Sequence, residues 1–356
     1  MRITLVTPAP RASRHGNRIT ARRWARILRD LGHRVLVAGS WDGGSADLLI
    51  ALHARRSRRS VLRFAHHHPE RPVIIALTGT DLHVDLPRTP DLRDVLRAAW
   101  RLVVLHERAP DALPAAFRER TRILYQSVAG RAGPSVRGTR SRRGTPSHRT
   151  FDVAVVAHLR PVKDPFRTAI ASRSLPADSR VRIVQMGAAM SDAMARRARA
   201  ESARNPRYLW LGDLPRWQAL ARLRRCRLAV NSSRAEGGAN AVSEAIANGV
   251  PVVASRIPGN VGLLGAGHPG YFPAGDTQRL AALLRRAETS PDFLRRLQAV
   301  GEQRRALFDP ARERREWRRL LAECSADRPS VRIGSRTAPV ASPAPAVSGT
   351  ATRRRH

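Results

Sequence analysis

The stretch Glu236-Gly237-Gly238-Ala239-Asn240-Ala241-Val242-Ser243-Glu244, running on to Gly249-Val250-Pro251-Val252-Val253-Ala254-Ser255, constrains this chain more than any other. Two glycines make a turn and a run of helix formers follows. Gly249 stops the helix, and an apolar β-branched run closes the segment as a buried strand. A strand apolar on both faces belongs in a layered α/β arrangement. The pattern also implies chemistry. Unpaired N–H groups and the positive end of the helix dipole near Asn240 suit a phosphate, and Gly237 and Gly238 let the backbone approach one closely. Glu244 stands two turns into the helix, where it can accept from two vicinal ribose hydroxyls. Glu236, before the turn, can reach a sugar hydroxyl. The combination suits a nucleotide diphosphate sugar. A surface helix with two solvated acids would explain the glutamates, but not a turn, a stop and a strand arriving in order.

The remaining sequence alternates in the same way. Strands are expected at 2–7, 34–38, 47–52, 72–77, 102–105 and 122–125, with helices at 18–31, 57–66, 91–100 and 110–118. Residues 127–150, rich in Gly, Ser, Thr and Arg, then read as a flexible linker. The pattern restarts with strands at 152–157, 180–186, 208–211, 227–231 and 250–254. Its helices are expected at 191–204, 215–224, 239–248, 276–288, 291–308 and 310–324. This predicts an α/β protein of two Rossmann-like, doubly wound parallel-sheet domains facing across a cleft: residues 1–126, which would hold the acceptor, and 151–324, which would hold the nucleotide sugar. Residues 325–356, a basic Ala/Pro/Ser tail, cannot bury a core and are expected to be disordered.

The charge of the 356-residue chain is +37, which invites a nucleic-acid reading. Three observations argue against a specific one. Lys163 is the only lysine, so the excess is an arginine bias. Residues 127–150 and 325–356 carry six Arg each, away from the expected folded domains. Aromatic residues are few and do not interleave with the arginines as a base-stacking platform requires. No run of eighteen apolar residues predicts a membrane span. The first strand is too short for a signal peptide. Cys226 and Cys324 form no disulfide framework or metal spacing. A cytoplasmic protein with no metal and no membrane partner is expected.

Loops after strands carry the other candidates. His158, Arg160 and Lys163 bring three potential cations to one loop, where they could stabilise a departing pyrophosphate; the compact Lys163 ammonium suits a phosphate oxygen. Arg14, Gly16 and Asn17 lie between the first strand and first helix, with Asn17 a possible helix cap. Thr80 and Asp81 follow the strand at 72–77, and His53 and Arg55 follow the strand at 47–52. These residues are candidates for the acceptor side of the cleft. No Ser-His-Asp or Cys-His set stands out.

The Glu236–Glu244 spacing and the segment through Ser255 resemble the signature of glycosyltransferase family 4. The likeness extends over residues 1 to about 323. It implies a GT-B fold, a nucleotide-sugar donor, no metal or cofactor, and retained anomeric configuration. The family's diphosphate Arg and Lys fall on His158 and Lys163. The lysine carries over, and either His158 or Arg160 stands in for the arginine. Where the family often has a sugar-contacting His, this chain has Thr80. A finer likeness is to the selenosugar synthases of selenoneine biosynthesis. It rests on residues 6–10, 51–57, 76–82, 158–166 and 255–265. That resemblance implies transfer of N-acetylglucosamine or glucose from a UDP-sugar to selenophosphate, giving a 1-seleno sugar, UDP and phosphate. On that basis Lys163, Arg160 and Glu236 would be catalytic, and His158, Gly237, Gly238, Asn240 and Glu244 would bind the donor. The alternatives are a family 4 enzyme with a hydroxyl acceptor, and an Arg-rich nucleic-acid-binding protein.

Overall fold

The computed structural model describes residues 1–10, 16–89, 92–128 and 150–326. In the first lobe, strands β1 (Arg2–Val6), β2 (Arg34–Ala38), β3 (Leu48–Leu52), β4 (Val73–Ala76), β5 (Arg101–Val104) and β6 (Thr121–Ile123) alternate with helices α1 (Gly16–Asp30), α2 (Ala54–His67), α3 (Leu92–Arg97) and α4 (Ala115–Arg118). The strands form one parallel sheet in the order β2-β1-β3-β4-β5-β6. All five residues of β3 are buried, as a central parallel strand requires. Leu49 and Ala51 face a core with Phe64 and Val61 of α2, while Leu48, Ile50 and Leu52 face Trp24 and Leu28 of α1.

The second lobe repeats the scheme. Its elements are β7 (Phe151–Val156), α5 (Arg167–Arg173), β8 (Val181–Met186), α6 (Asp192–Arg204), β9 (Tyr208–Trp210), α7 (Arg216–Leu223), β10 (Leu228–Asn231), α8 (Asn240–Ala247), β11 (Val252–Ser255), α9 (Pro258–Leu264), β12 (Tyr271–Phe272), α10 (Thr277–Thr289) and α11 (Pro291–Arg304). The parallel sheet runs β12-β11-β10-β7-β8-β9. Both sheets turn their carboxyl ends to the cleft, where open α/β sheets hold ligands.

The elements depart from expectation in several places: α5 and β12 were not foreseen, and the expected 110–118 helix is confined to α4. Helix α9 was not foreseen, because Gly259 and Gly262 lower its helix propensity. Those glycines are required: a Cβ at Gly259 would lie 2.5 Å from the Glu236 carbonyl oxygen, and one at Gly262 2.4 Å from the His106 ring. Pro258 at the first turn supports the helix start. The expected 91–100 helix is shortened to α3.

The last helix, α12 (Pro310–Ala326), returns to the first lobe although it follows the second. Its Trp317, Leu320, Leu321 and Cys324 join the core around Ile3 and Trp24. Trp317 and Trp24 meet edge to face, 5.0 Å apart. The expected domain 151–324 thus includes, by chain order, a helix whose apolar face belongs to the other core. Glu313 of α12 accepts from Trp24 Nε1 at 2.7 Å, from the Ser127 N–H at 3.0 Å, and from the Ser127 hydroxyl. Within the expected linker, Ser127 and Val128 are buried, and residues 129–149 lie outside the described residues. Of the expected tail, Ser325 and Ala326 end α12, and residues 327–356 lie outside the described residues.

Candidate active site

A cleft of about 1420 Å³ separates the lobes. On the second-lobe side, β7 ends in a loop whose short 3₁₀ turn, Pro161–Lys163, aims Lys163 inward. Asp164 caps that turn in the left-handed region, φ 43, held by Arg167 and Arg234. Lys163 Nζ donates to both carboxylate oxygens of Glu236, each at 2.6 Å. Ser233 Oγ also donates to Glu236, at 2.6 Å. Burial pushes the Glu236 carboxyl up. The Lys163 charge and hydrogen bonds from Lys163, Ser233 and Asn231 outweigh it and leave the group below its ordinary range. Glu236 is therefore an ionised, fixed carboxylate.

Helix α8 begins at Asn240 behind Ala239, which supplies no side-chain cap. Its first N–H groups are left for a ligand, next to Lys163 and Arg160 on the cleft wall. Glu244, on the same helix, is buried and receives Arg216 of α7 at 2.8 Å. Sequence reasoning missed Arg216, which is one of many arginines and is marked only by its position at the start of α7. Arg160 lines the cleft, and none of the described residues pairs with its side chain. His158 also lines the cleft, but its Nδ1 accepts the Ala188 N–H at 3.1 Å. That bond requires a lone pair on Nδ1, which an imidazolium lacks.

Gly237 and Gly238 serve the lobe contact. A Cβ at Gly237 would lie 2.5 Å from the Gly79 carbonyl oxygen, and one at Gly238 2.6 Å from Leu105. The close approach these glycines permit is therefore to the facing lobe. A Cβ at Gly16 would lie 3.5 Å from Asn240 Nδ2, an ordinary contact.

On the first-lobe side, Asn17 is not the cap of α1: it lies within the helix and accepts from Thr78 Oγ1 at 2.9 Å. Arg14 lies outside the described residues. Arg55 turns to Asp85, at 2.9 Å, while its neighbour Arg56 lines the cleft. Thr80 lines the cleft and donates to Asp85 at 3.0 Å.

His53 and Asp81 form a pair that went unread in the sequence. His53 Nδ1 lies 2.5 Å from Asp81 Oδ1, and both residues are buried. Strands β3 and β4 are parallel neighbours with Leu52 opposite Ala76, so residues just beyond their ends converge. That adjacency was the available signal. His53, Asp81 and Asp85 also form, among the described residues, a group whose ligand atoms lie within 4.8 Å of one another and could hold a metal. The 2.5 Å separation argues against it. Two ligands on one tetrahedral ion with bonds of about 2.0–2.2 Å stand roughly 3.3 Å apart.

Residues 139–304 match the sequence profile described as Glycosyl transferases group 1. Lys163, Glu236 and Glu244 fall within that match. Solved structures resemble nearly the whole chain. Anabaena Alr3699/HepE in complex with UDP and glucose has a TM-score of 0.70 at 17% identity, covering 91% of this chain and 100% of that one. Sucrose-phosphate synthase (tll1590) from Thermosynechococcus elongatus has a TM-score of 0.74 at 15% identity, covering 91% and 99%. The trehalose-phosphate synthase of Burkholderia xenovorans, in complex with glucose-6-phosphate, has 0.60 at 13%, covering 78% and 74%.

The fold is GT-B.

A search of curated proteins by sequence finds no match. No helix among the described residues of this GT-B chain is long and apolar enough to cross a membrane.

Proposed function

We propose that the protein transfers a hexose, N-acetylglucosamine or glucose, from a UDP-sugar to selenophosphate. Selenium bonds to the anomeric carbon as the bond to UDP breaks, and water then cleaves the Se–P bond, giving a 1-seleno sugar, UDP and phosphate. One observation carries the donor half of this reading: Lys163 is locked to the buried Glu236 beside the uncapped start of α8. In this reading the diphosphate lies at that helix start, and Lys163 and Arg160 neutralise the charge that grows on UDP as it leaves. Glu244 exchanges Arg216 for the ribose hydroxyls, and Glu236 orients the hexose. HepE, in complex with UDP-glucose, supports a UDP-sugar donor. No metal enters this reading, and the arginines and helix N-termini supply the positive charge.

The acceptor half rests on the likeness of five sequence segments to selenosugar synthases. A hydroxyl acceptor is the second reading, favoured by the likeness to a trehalose-phosphate synthase in complex with glucose-6-phosphate, a sugar that bears hydroxyls. Mass spectrometry decides between them. The purified protein is given UDP-N-acetylglucosamine or UDP-glucose with selenophosphate generated in place, under reducing, oxygen-free conditions. A hexose bearing the selenium isotope pattern, with stoichiometric UDP, is expected. UDP release without selenium incorporation would overturn the acceptor and direct attention to hydroxyls.

A further inference from the structure

The two walls of the cleft differ in charge. The second-lobe wall carries Arg160, Lys163 and Arg216 with Asp213, Glu236 and Glu244, so it is balanced before a ligand arrives. The first-lobe wall carries Arg22, Arg23, Arg26 and Arg56, joined by Arg314 of α12, and Asp30 alone opposes them. Glu313 neutralises Arg23 from behind, at 3.2 Å, which leaves four cations against one carboxylate. Arg26 and Arg56 are exposed, and neither pairs with a described residue. Asp81 and Asp85 are buried and do not line the cleft; Arg55 and Thr80 hold Asp85, and Asp81 accepts the Gly79 N–H. No Phe, Tyr or Trp lines the cleft among the described residues, so neither wall offers a base-stacking platform.

The cations are also placed in order. Arg56 stands three residues after His53, whose ring lies against Gly79: a Cβ there would come 3.2 Å from His53 Cδ2. Gly79 in turn meets Gly237, next to Glu236. These contacts set Arg56 near the expected hexose. Helix α1 starts at Gly16, against Asn240 at the start of α8. Arg22 and Arg26 follow on one face of α1, about 9 and 15 Å along its axis, as a line of charge leading away from the donor site.

We propose that this wall is an oxyanion site: Arg56 holds the phosphoryl oxygens of the acceptor, and Arg22 and Arg26 draw the acceptor in. The inference rests on the UDP-sugar reading above and adds the charge of the acceptor and the residues that meet it. A guanidinium fork matches two oxygens of a phosphoryl group, and a line of like charge raises the local anion concentration and the rate of arrival. Selenophosphate and a sugar phosphate share this group.

The test uses inorganic phosphate as the probe, titrated by calorimetry into the full-length protein saturated with UDP, so that the donor site is filled. One-to-one binding of phosphate to wild type is expected. Arg56→Gln should weaken it about tenfold, the cost of losing a charged hydrogen bond. Arg59→Gln removes the same charge from an exposed position of α2 outside the cleft, and should leave phosphate affinity within about twofold. UDP affinity serves as the fold control and should stay within about threefold in both variants. Steering is read on whichever acceptor turns over, selenophosphate or glucose 6-phosphate. In Arg22→Gln/Arg26→Gln its kcat/KM should fall about tenfold at low ionic strength and approach wild type at about 0.5 M salt. Equal phosphate affinity in wild type and Arg56→Gln, or an equal loss in Arg59→Gln, overturns the inference. Parallel salt curves for wild type and the double variant overturn the steering role. Wild type that fails to bind UDP overturns the transferase reading instead, and the phosphate comparison is then made without UDP. A selenium-bearing product whose selenophosphate KM rises in Arg56→Gln assigns the anion as selenophosphate; the same rise on glucose 6-phosphate alone assigns a sugar phosphate.

Discussion

The ammonium of Lys163 sits 2.6 Å from each carboxylate oxygen of Glu236, 73 positions away in the chain. The contact joins the loop after β7 to the turn before α8 and keeps Glu236 ionised. Lys163→Ala is expected to lower kcat/KM for UDP-sugar turnover about 10²–10³-fold, the usual cost of losing one charge-stabilising donor. It also strands a buried carboxylate, so the melting temperature should fall. Lys163→Ala with Glu236→Gln should recover most of that stability and none of the activity. Activity kinetics and thermal melts on the two variants check both halves.

The same pair gives a pH signature. The folded Glu236 carboxyl titrates below its ordinary 4.5. Its stabilisation is therefore fully present above about 4.5 and is lost as pH falls through the lower folded value. In Lys163→Met, burial is opposed only by the Ser233 and Asn231 hydrogen bonds, so the folded group rises and stability should fall less than in wild type, or not at all, as pH drops from 7 to 4. Urea unfolding of the two proteins between pH 7 and 4 measures the difference.

His106 makes the opposite kind of group. It is fully buried against Gly262 of α9 and stacked on His83 at 6.0 Å. Burial, aided by His83, pushes its imidazole down to about 3 from 6.5. The unfolded chain then binds the extra proton, and stability drops as pH falls below about 6.5. Both ring nitrogens are buried without a hydrogen-bond partner. His106→Leu should therefore change stability little at pH 7 and leave the protein more stable than wild type at pH 5. Denaturant midpoints at the two pH values check this.

Gly237→Ala places a methyl 2.5 Å from the Gly79 carbonyl oxygen, a backbone atom in the other lobe. The lobes must then separate. The expected result is at least a tenfold loss of transfer with little change in melting temperature, read from steady-state kinetics and calorimetric melts.

Trp317 ties α12 to the first lobe. Trp317→Ala should cost about 3–5 kcal/mol of stability by leaving a cavity beside Trp24. Its indole Nε1 is buried without a hydrogen-bond partner, so Trp317→Phe should cost far less. Urea denaturation of the pair separates packing from polarity.

What the sequence disclosed follows from the range of the forces involved. The β3 and β4 strands and α8 could be read locally, since apolar runs, Gly249 and the Gly-Gly turn act over a few residues. Lys163 stood out as a lone lysine, and Glu236 by its spacing from Glu244. Their contact could not be read, because it depends on two loops meeting across β7 and β10. His53 and Asp81 were singled out separately, and only the parallel pairing of β3 with β4 unites them. Helix α9 was hidden by glycines that serve tertiary packing against local propensity. The return of α12 to the first lobe was hidden for a similar reason: an amphipathic helix declares an apolar face and not the surface that face covers.

Calorimetric titration of UDP into wild type, Lys163→Ala and Glu244→Ala tests the central claim most directly. The account predicts saturable one-to-one binding to wild type, weakened at least tenfold in each variant that still melts cooperatively. No binding by folded wild type, or equal binding by all three proteins, would contradict it.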